Sequence, residues 1–190
     1  MCGIVGYTGV QGASPILLEG LKKLEYRGYD SAGIALLNKG KISIAKVTGR
    51  IANLCEKTND GKDYPGTTGI GHTRWATHGA PSDTNAHPHV SNDGRFAIVH
   101  NGIIENFMAL HEELTAKGYH FESETDTEVI VHLLEMYYKG DIKKAVIKTS
   151  ARLQGSYALG VICADEPDKL FVAREASPLI LGVGVGENFF

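Results

Sequence analysis

The second residue is a cysteine, and Gly3-Ile4-Val5-Gly6 follow it directly. A small side chain at position 2 permits removal of Met1. Removal would leave a thiol and a free α-amine on one residue, groups that in isolation titrate at about 8.5 and about 7.7–8.0. Nucleophile and base would then share a residue, the scheme that activates N-terminal threonine. The same position also suits a small apolar side chain on a buried strand, so Cys2 by itself leaves both readings open.

Four further groups could do chemistry. The densest polar cluster is Gly71-His72-Thr73-Arg74-Trp75-Ala76-Thr77-His78-Gly79, which holds the chain's single tryptophan. The Arg74 guanidinium is a rigid fork suited to a carboxylate, and Trp75 offers a large surface to cover a small ligand. Asn101-Gly102 follows an apolar run. It is a strong β-turn signal, or else an oxyanion hole in which a side-chain amide and a backbone N–H converge. Asp126 is a helix first-turn acid or the partner of a substrate ammonium. Arg27 lies in Tyr26-Arg27-Gly28-Tyr29-Asp30-Ser31 and suits a helix end or a site.

These groups need elements to position them. Residues 2–7 read as a strand, and Ser14-Pro15 opens a helix whose Leu17, Leu21 and Leu24 share a face and which Gly28 ends. Gly33–Leu37 and Lys41–Val47 form a hairpin through Asn38-Lys39-Gly40. Thr67–Thr73 and Arg95–His100 read as strands. Helices are expected over 106–117, over 125–138 with Thr125-Asp126-Thr127-Glu128 as a capping box, and over 141–153. Strands return at 156–164, 169–174 and 179–185. Helices and strands come in blocks, which favours antiparallel sheets with helices outside over a doubly wound sheet.

The chain has 190 residues, enough for one domain, and its net charge of −3 has no basic tract. That argues against nucleic acid and anionic membranes as partners. The apolar stretches are too short to span a bilayer. Three cysteines without CxxC spacing or a leader suggest reduced thiols in the cytoplasm. Gly6-x-x-Gly9-x-x-Gly12 could cradle a phosphate but lacks the dinucleotide spacing. His72, His78, His87 and His89 match no zinc pattern.

Taken together, Cys-Gly-Ile-Val-Gly at the N-terminus, Tyr-Arg-Gly-Tyr-Asp-Ser-Ala-Gly (26–33), Arg-Trp-Ala-Thr-His-Gly (74–79), His-Asn-Gly-Ile-Ile-Glu-Asn (100–106) and Ser-Glu-Thr-Asp-Thr-Glu (123–128) resemble the class II glutamine amidotransferases over essentially the whole chain. The third and second motifs favour the branch that aminates a sugar phosphate over the amidophosphoribosyltransferases. The resemblance implies an α+β N-terminal-nucleophile fold, a four-layer αββα sandwich with antiparallel sheets. It implies L-glutamine as substrate and L-glutamate as product, Cys2 as nucleophile, and Asn101 with the Gly102 N–H as oxyanion hole. Arg74, Thr77 and His78 would hold the substrate carboxylate and Asp126 its α-amine. Trp75 would sit on a closing loop, with Arg27 and His87 in support. No metal or organic cofactor is implied. The family's full-length enzyme is implied to be a homo-oligomer in which sugar-isomerase domains follow. On this reading, residues 1–190 are a glutaminase domain that stops before its last strands.

Overall fold

A computed structural model describes residues 2–76 and 79–190. Strand β1 (Gly3–Thr8) leads to helix α1 (Ala13–Leu24) and a 3-10 turn (Glu25–Arg27). Then come β2 (Ser31–Asn38), β3 (Lys41–Thr48), α2 (Ile51–Lys57) and β4 (Thr68–Arg74). The second half holds β5 (His89–Val90), β6 (Phe96–Ile104), α3 (Phe107–Ala116), α4 (Glu128–Tyr137), α5 (Ile142–Ser150), β7 (Gly155–Cys163), β8 (Phe171–Glu175), β9 (Gly182–Val183) and β10 (Asn188–Phe189).

Two sheets result, ordered β3-β2-β4-β1-β10-β9 and β5-β6-β7-β8. Every strand pair in them is antiparallel. Successive side chains on a strand point to opposite faces, so each central strand feeds two apolar layers. Tyr7, Ile34 and Leu36 pack with Leu17, Leu18 and Leu21 of α1 and Leu54 of α2. Ala35, Ile70, Ala97, Val99 and Ile162 fill the space between the sheets. Phe96, Ile98 and Leu159 pack with Leu110, Leu114, Val129, Ile130 and Leu133 of α3 and α4. The order is therefore helices, sheet, sheet, helices, the expected four-layer sandwich.

Most predicted elements fall within a few residues of their places. Lys39 and Gly40 both have positive φ, as a two-residue hairpin loop requires. Three expectations fail. Asn101-Gly102 is no turn: both residues lie inside β6, opposite Ala158 and Tyr157. Thr125 does not cap α4, which starts at Glu128. The Glu128 carboxylate instead accepts from the Glu122 and Ser123 N–H groups and the Ser123 hydroxyl, folding 122–127 into a tight loop. The strand over 179–185 shrinks to Gly182–Val183, and β10 beyond it pairs with β1. Phe189 then meets Tyr7 at 5.1 Å, while Phe190 exchanges two backbone hydrogen bonds with Gly6. The Gly6 glycine serves this packing rather than a phosphate, because a Cβ there would sit 1.9 Å from the Phe190 ring.

Candidate active site

Alternation along three strands brings the site together. Ile4 and Ile70 point into the layer between the sheets, and so, two residues on, do Cys2 beside β1 and His72 and Arg74 on β4. From the facing sheet, Ala97 and Val99 point into the same layer, and Asn101 continues their row. The ends of β1, β4 and β6 thus meet at a small cavity lined by Cys2, Arg74, Trp75, Gly102 and Asp126, with imidazoles and threonines behind them.

Cys2 is half-buried. Its Sγ accepts the Trp75 N–H at 3.2 Å. Burial pushes the thiol pKa up, and the Trp75 N–H works against that by favouring the thiolate. Asn101 Nδ2 donates to the Cys2 carbonyl at 3.1 Å, and Asn101 Oδ1 is buried with no hydrogen-bond partner among the described residues. Gly102 has φ of +140°, and a Cβ there would lie 1.9 Å from the Ser156 carbonyl oxygen. Only glycine lets the strand bring its backbone to the cavity at this point.

Arg74 is 4% exposed, and its Nη2 donates to the Gly79 carbonyl at 3.0 Å. Asp126 is equally buried, and its Oδ2 accepts the Ile104 N–H at 2.8 Å. Trp75 leaves half its surface exposed, edge-on to Tyr29 at 5.7 Å. Arg27 ends the 3-10 turn and lies outside the cavity lining. Its neighbour Gly28 lies so close to the Arg74 backbone that a Cβ would come within 2.7 Å of it, so the turn braces β4 at Arg74. Thr77 and His78 lie outside the described residues.

Sequence reasoning missed two contributors. Asp30 fastens the segment after β4: its carboxylate accepts the Ala76 N–H and the Ser31 hydroxyl, and its own N–H donates to Arg74 O. The second is His100, whose Nδ1 bonds the Thr127 hydroxyl at 2.8 Å, while Thr127 also reaches Asp126 at 3.4 Å. Proximity to the motifs was the available signal for both.

His87 belongs to a stack of buried imidazoles rather than standing alone. Its ring lies 4.1 Å from that of His72 and 4.8 Å from that of His89, and its Nδ1 accepts the His100 N–H at 3.3 Å. His72 Nε2 reaches His100 O at 3.0 Å. Desolvation holds His72 and His89 down to about 3, His100 to about 4, and His87 well below the usual imidazole value. These rings are neutral packing and hydrogen-bonding groups at pH 7. Among the described residues, no group of three or more His, Cys, Asp or Glu side chains is placed to hold a metal ion. No helix among them is long and apolar enough to cross a membrane.

Comparison with known proteins agrees with this geometry. Residues 72–190 match the family described as glutamine amidotransferase domain. The glutamine–fructose-6-phosphate aminotransferase (isomerizing) of Caldanaerobacter subterraneus subsp. tengcongensis is 62% identical over the whole chain. The enzyme of the same name from Clostridium tetani is 57% identical. The chain spans 31% of the length of each. Among solved structures, the glutamine phosphoribosylpyrophosphate amidotransferase of B. subtilis superposes with a TM-score of 0.86 at 27% identity, covering all of this chain and 41% of that one. The family match over residues 72–190 and the superposition of the whole sandwich agree, and the chain belongs to the glutamine amidotransferase family.

Proposed function

We propose that residues 1–190 form the glutaminase domain of a longer glutamine–fructose-6-phosphate aminotransferase, with sugar-isomerase domains elsewhere in that protein. The domain hydrolyses L-glutamine to L-glutamate and ammonia, and the ammonia passes to fructose 6-phosphate on the other domains. The observation that carries the reading is the meeting of Cys2, Gly102, Arg74 and Asp126 at one cavity, with the Asn101 amide donating to the Cys2 carbonyl beside it. The identity of 62% to an aminotransferase of this name, against 27% to the phosphoribosyl enzyme, favours the sugar-phosphate branch. Free Cys2, Cys55 and Cys163 suit a reducing cytoplasm.

With Met1 removed, the Cys2 α-amine takes the thiol proton as the sulfur attacks the side-chain amide carbon of glutamine. The C=O electron pair moves to oxygen, where the second Asn101 Nδ2 proton and the Gly102 N–H stabilise it. Collapse breaks the C–N bond. The α-ammonium gives its proton to the departing nitrogen, which leaves as ammonia, and a γ-glutamyl thioester remains. Water, deprotonated by the same amine, then attacks the thioester. Glutamate leaves and the thiol is restored. Arg74, with Thr77 and His78, holds the α-carboxylate. Asp126 Oδ1 takes the α-ammonium, while Asp126 Oδ2 stays on the Ile104 N–H. Trp75 covers the bound amino acid, and Arg27 and His87 brace the walls.

The test is ammonia release from L-glutamine by preparations whose intact mass reports Met1. Cys2→Ala and a form retaining Met1 are both expected to fall to background. Equal turnover with and without Met1 would remove the α-amine from its role.

A further inference from the structure

A second cavity, of about 400 Å³, lies beside the catalytic one and has charged groups of both signs on its wall: Lys46, Glu122 and Glu128. His89 also lines it, and the His89 ring bonds the Thr125 hydroxyl at 3.1 Å. Thr125 in turn lines the catalytic cavity, so one hydrogen-bonded pair separates the two.

Lys46 is the unusual member. Its Nζ donates to Thr84 O at 3.1 Å and forms no ion pair among the described residues. An ammonium has three protons to place, and among the described residues one acceptor, Thr84 O, is in place. Burial pushes the Lys46 pKa down, with Glu122 and Glu128 pulling the other way from a distance. Glu128 is engaged elsewhere: burial opposes its charge, but His132, Ser123 and two backbone N–H groups hold its carboxylate down to about 2. Glu122 is exposed, and among the described residues its carboxylate has no hydrogen-bond or ion-pair partner.

A lone anion entering this cavity would meet two carboxylates, and a lone cation would meet Lys46. A molecule carrying both charges is complementary to the whole wall. We propose that this cavity is a second ligand site for a small zwitterion, its anionic group on the Lys46 ammonium and its ammonium on Glu122. The anionic group is a phosphate or a carboxylate. The other lining groups, Asn92 and the exposed His120 ring among them, supply hydrogen bonds to the body of the ligand.

Phosphoethanolamine and β-alanine distinguish the two anion types, and neither has the α-amino acid pattern that Arg74 and Asp126 would read. Their binding is measured by calorimetry on the wild-type chain, beside inorganic phosphate and ethanolamine, which carry one charge each. One of the two zwitterions is expected to bind about tenfold more tightly than either single-charge probe. Lys46→Met and Glu122→Gln are each expected to weaken it by a similar factor. Glu122 is exposed, so Glu122→Gln tests the site without disturbing the core. Absence of binding by both zwitterions at millimolar concentration, equal binding of phosphate, or affinity unmoved by both substitutions overturns the proposal.

Discussion

The catalytic cavity is backed by imidazoles that burial keeps neutral, whereas the Lys46 cavity across the His89–Thr125 pair retains an ammonium and two carboxylates. His72, His87 and His100 surround the first with hydrogen-bonding capacity and no charge at pH 7. On the proposed reading, Arg74 and Asp126 are the side-chain charges among the described residues that a substrate would meet there, one for each end of an amino acid. The side-chain amide, which is uncharged, would be left to Cys2, Asn101 and Gly102 on the same reading. A wall of lysine or carboxylate in place of the imidazoles would compete with that pairing. Neutral histidines fix the geometry of β4 and β6 without entering the charge balance.

The largest effect on this comparison is expected from the two cavity charges. A charge-assisted hydrogen bond contributes roughly 1.5–3 kcal/mol. Arg74→Ala and Asp126→Asn should each raise the KM for glutamine by about 10- to 100-fold. Asp126→Asn should also reduce discrimination against analogues lacking the α-amine. Lys46→Met, across the wall, should leave KM within about twofold. Steady-state kinetics on the three variants checks this. If Arg74 and Asp126 variants keep the wild-type KM while Lys46→Met does not, the roles of the two cavities have been exchanged.

Gly102→Ala should come next. The positive φ strains any side chain, and the added carbon would strike the Ser156 carbonyl across the β6–β7 pair. Strain of this kind costs of order 1–3 kcal/mol before the clash is counted. Loss of both stability, read by urea unfolding, and turnover is expected. A variant as stable and active as wild type would mean that the strand shifts freely here.

Asn101-Gly102 also shows what a sequence can carry. The pair is legible as a special backbone position, yet local preference alone predicts a turn. Only pairing with Ala158 and Tyr157 over 50 residues away places it inside β6. The blocks of strands and helices revealed the layers, because burial on one or two faces leaves a periodic trace. Helix α2, at seven residues, was too short to leave one. Strand β10 escaped notice because two residues gain their structure from β1 and not from their own pattern. Cys2, Arg74 and Asp126, which the structure places on one cavity wall, were legible as candidates by chemical type. The bracing by Asp30 and the His72–His87–His89 stack were not, since aspartate beside glycine and histidine on apolar strands each have ordinary roles, and only the contact with the Arg74–Ala76 segment or with another ring distinguishes them.

The neutral wall carries its own pH signature. The folded-state pKa values of about 3 for His72 and His89 and about 4 for His100 lie below the ordinary imidazole value of 6.5. At pH 7 and above, the rings are neutral in both folded and unfolded chains, and they add no pH dependence. As pH falls through 6.5, the unfolded chain takes up protons that the folded chain refuses. Stability then drops by up to about 1.4 kcal/mol per pH unit for each histidine, and the loss continues until pH reaches the folded values. Urea midpoints between pH 7 and 5 should fall steeply. A flat profile over that range would mean that the rings are protonated in the folded chain.

The smallest expected effect isolates one ring. His72→Gln keeps a side-chain N–H that can donate to His100 O, the bond His72 makes at 3.0 Å, but removes a group that titrates. Packing against His87 is lost, so stability at pH 7 should decrease modestly. The informative quantity is the slope. Below pH 6 the unfolded variant binds one proton fewer than the unfolded wild type, and the stability curve should be shallower by about 1.4 kcal/mol per pH unit. The charge of a protonated His72 would also bear on His87, whose own depression owes most to desolvation and next to His72. Removing the neighbour lets His87 rise a little, which flattens the curve further. Arg74 acts on both rings in the same direction as burial, so the rest of the depression survives the change. A slope identical to wild type would show that His72 is charged in the folded protein, and the catalytic wall would then contain a cation that competes with Arg74 for the substrate carboxylate.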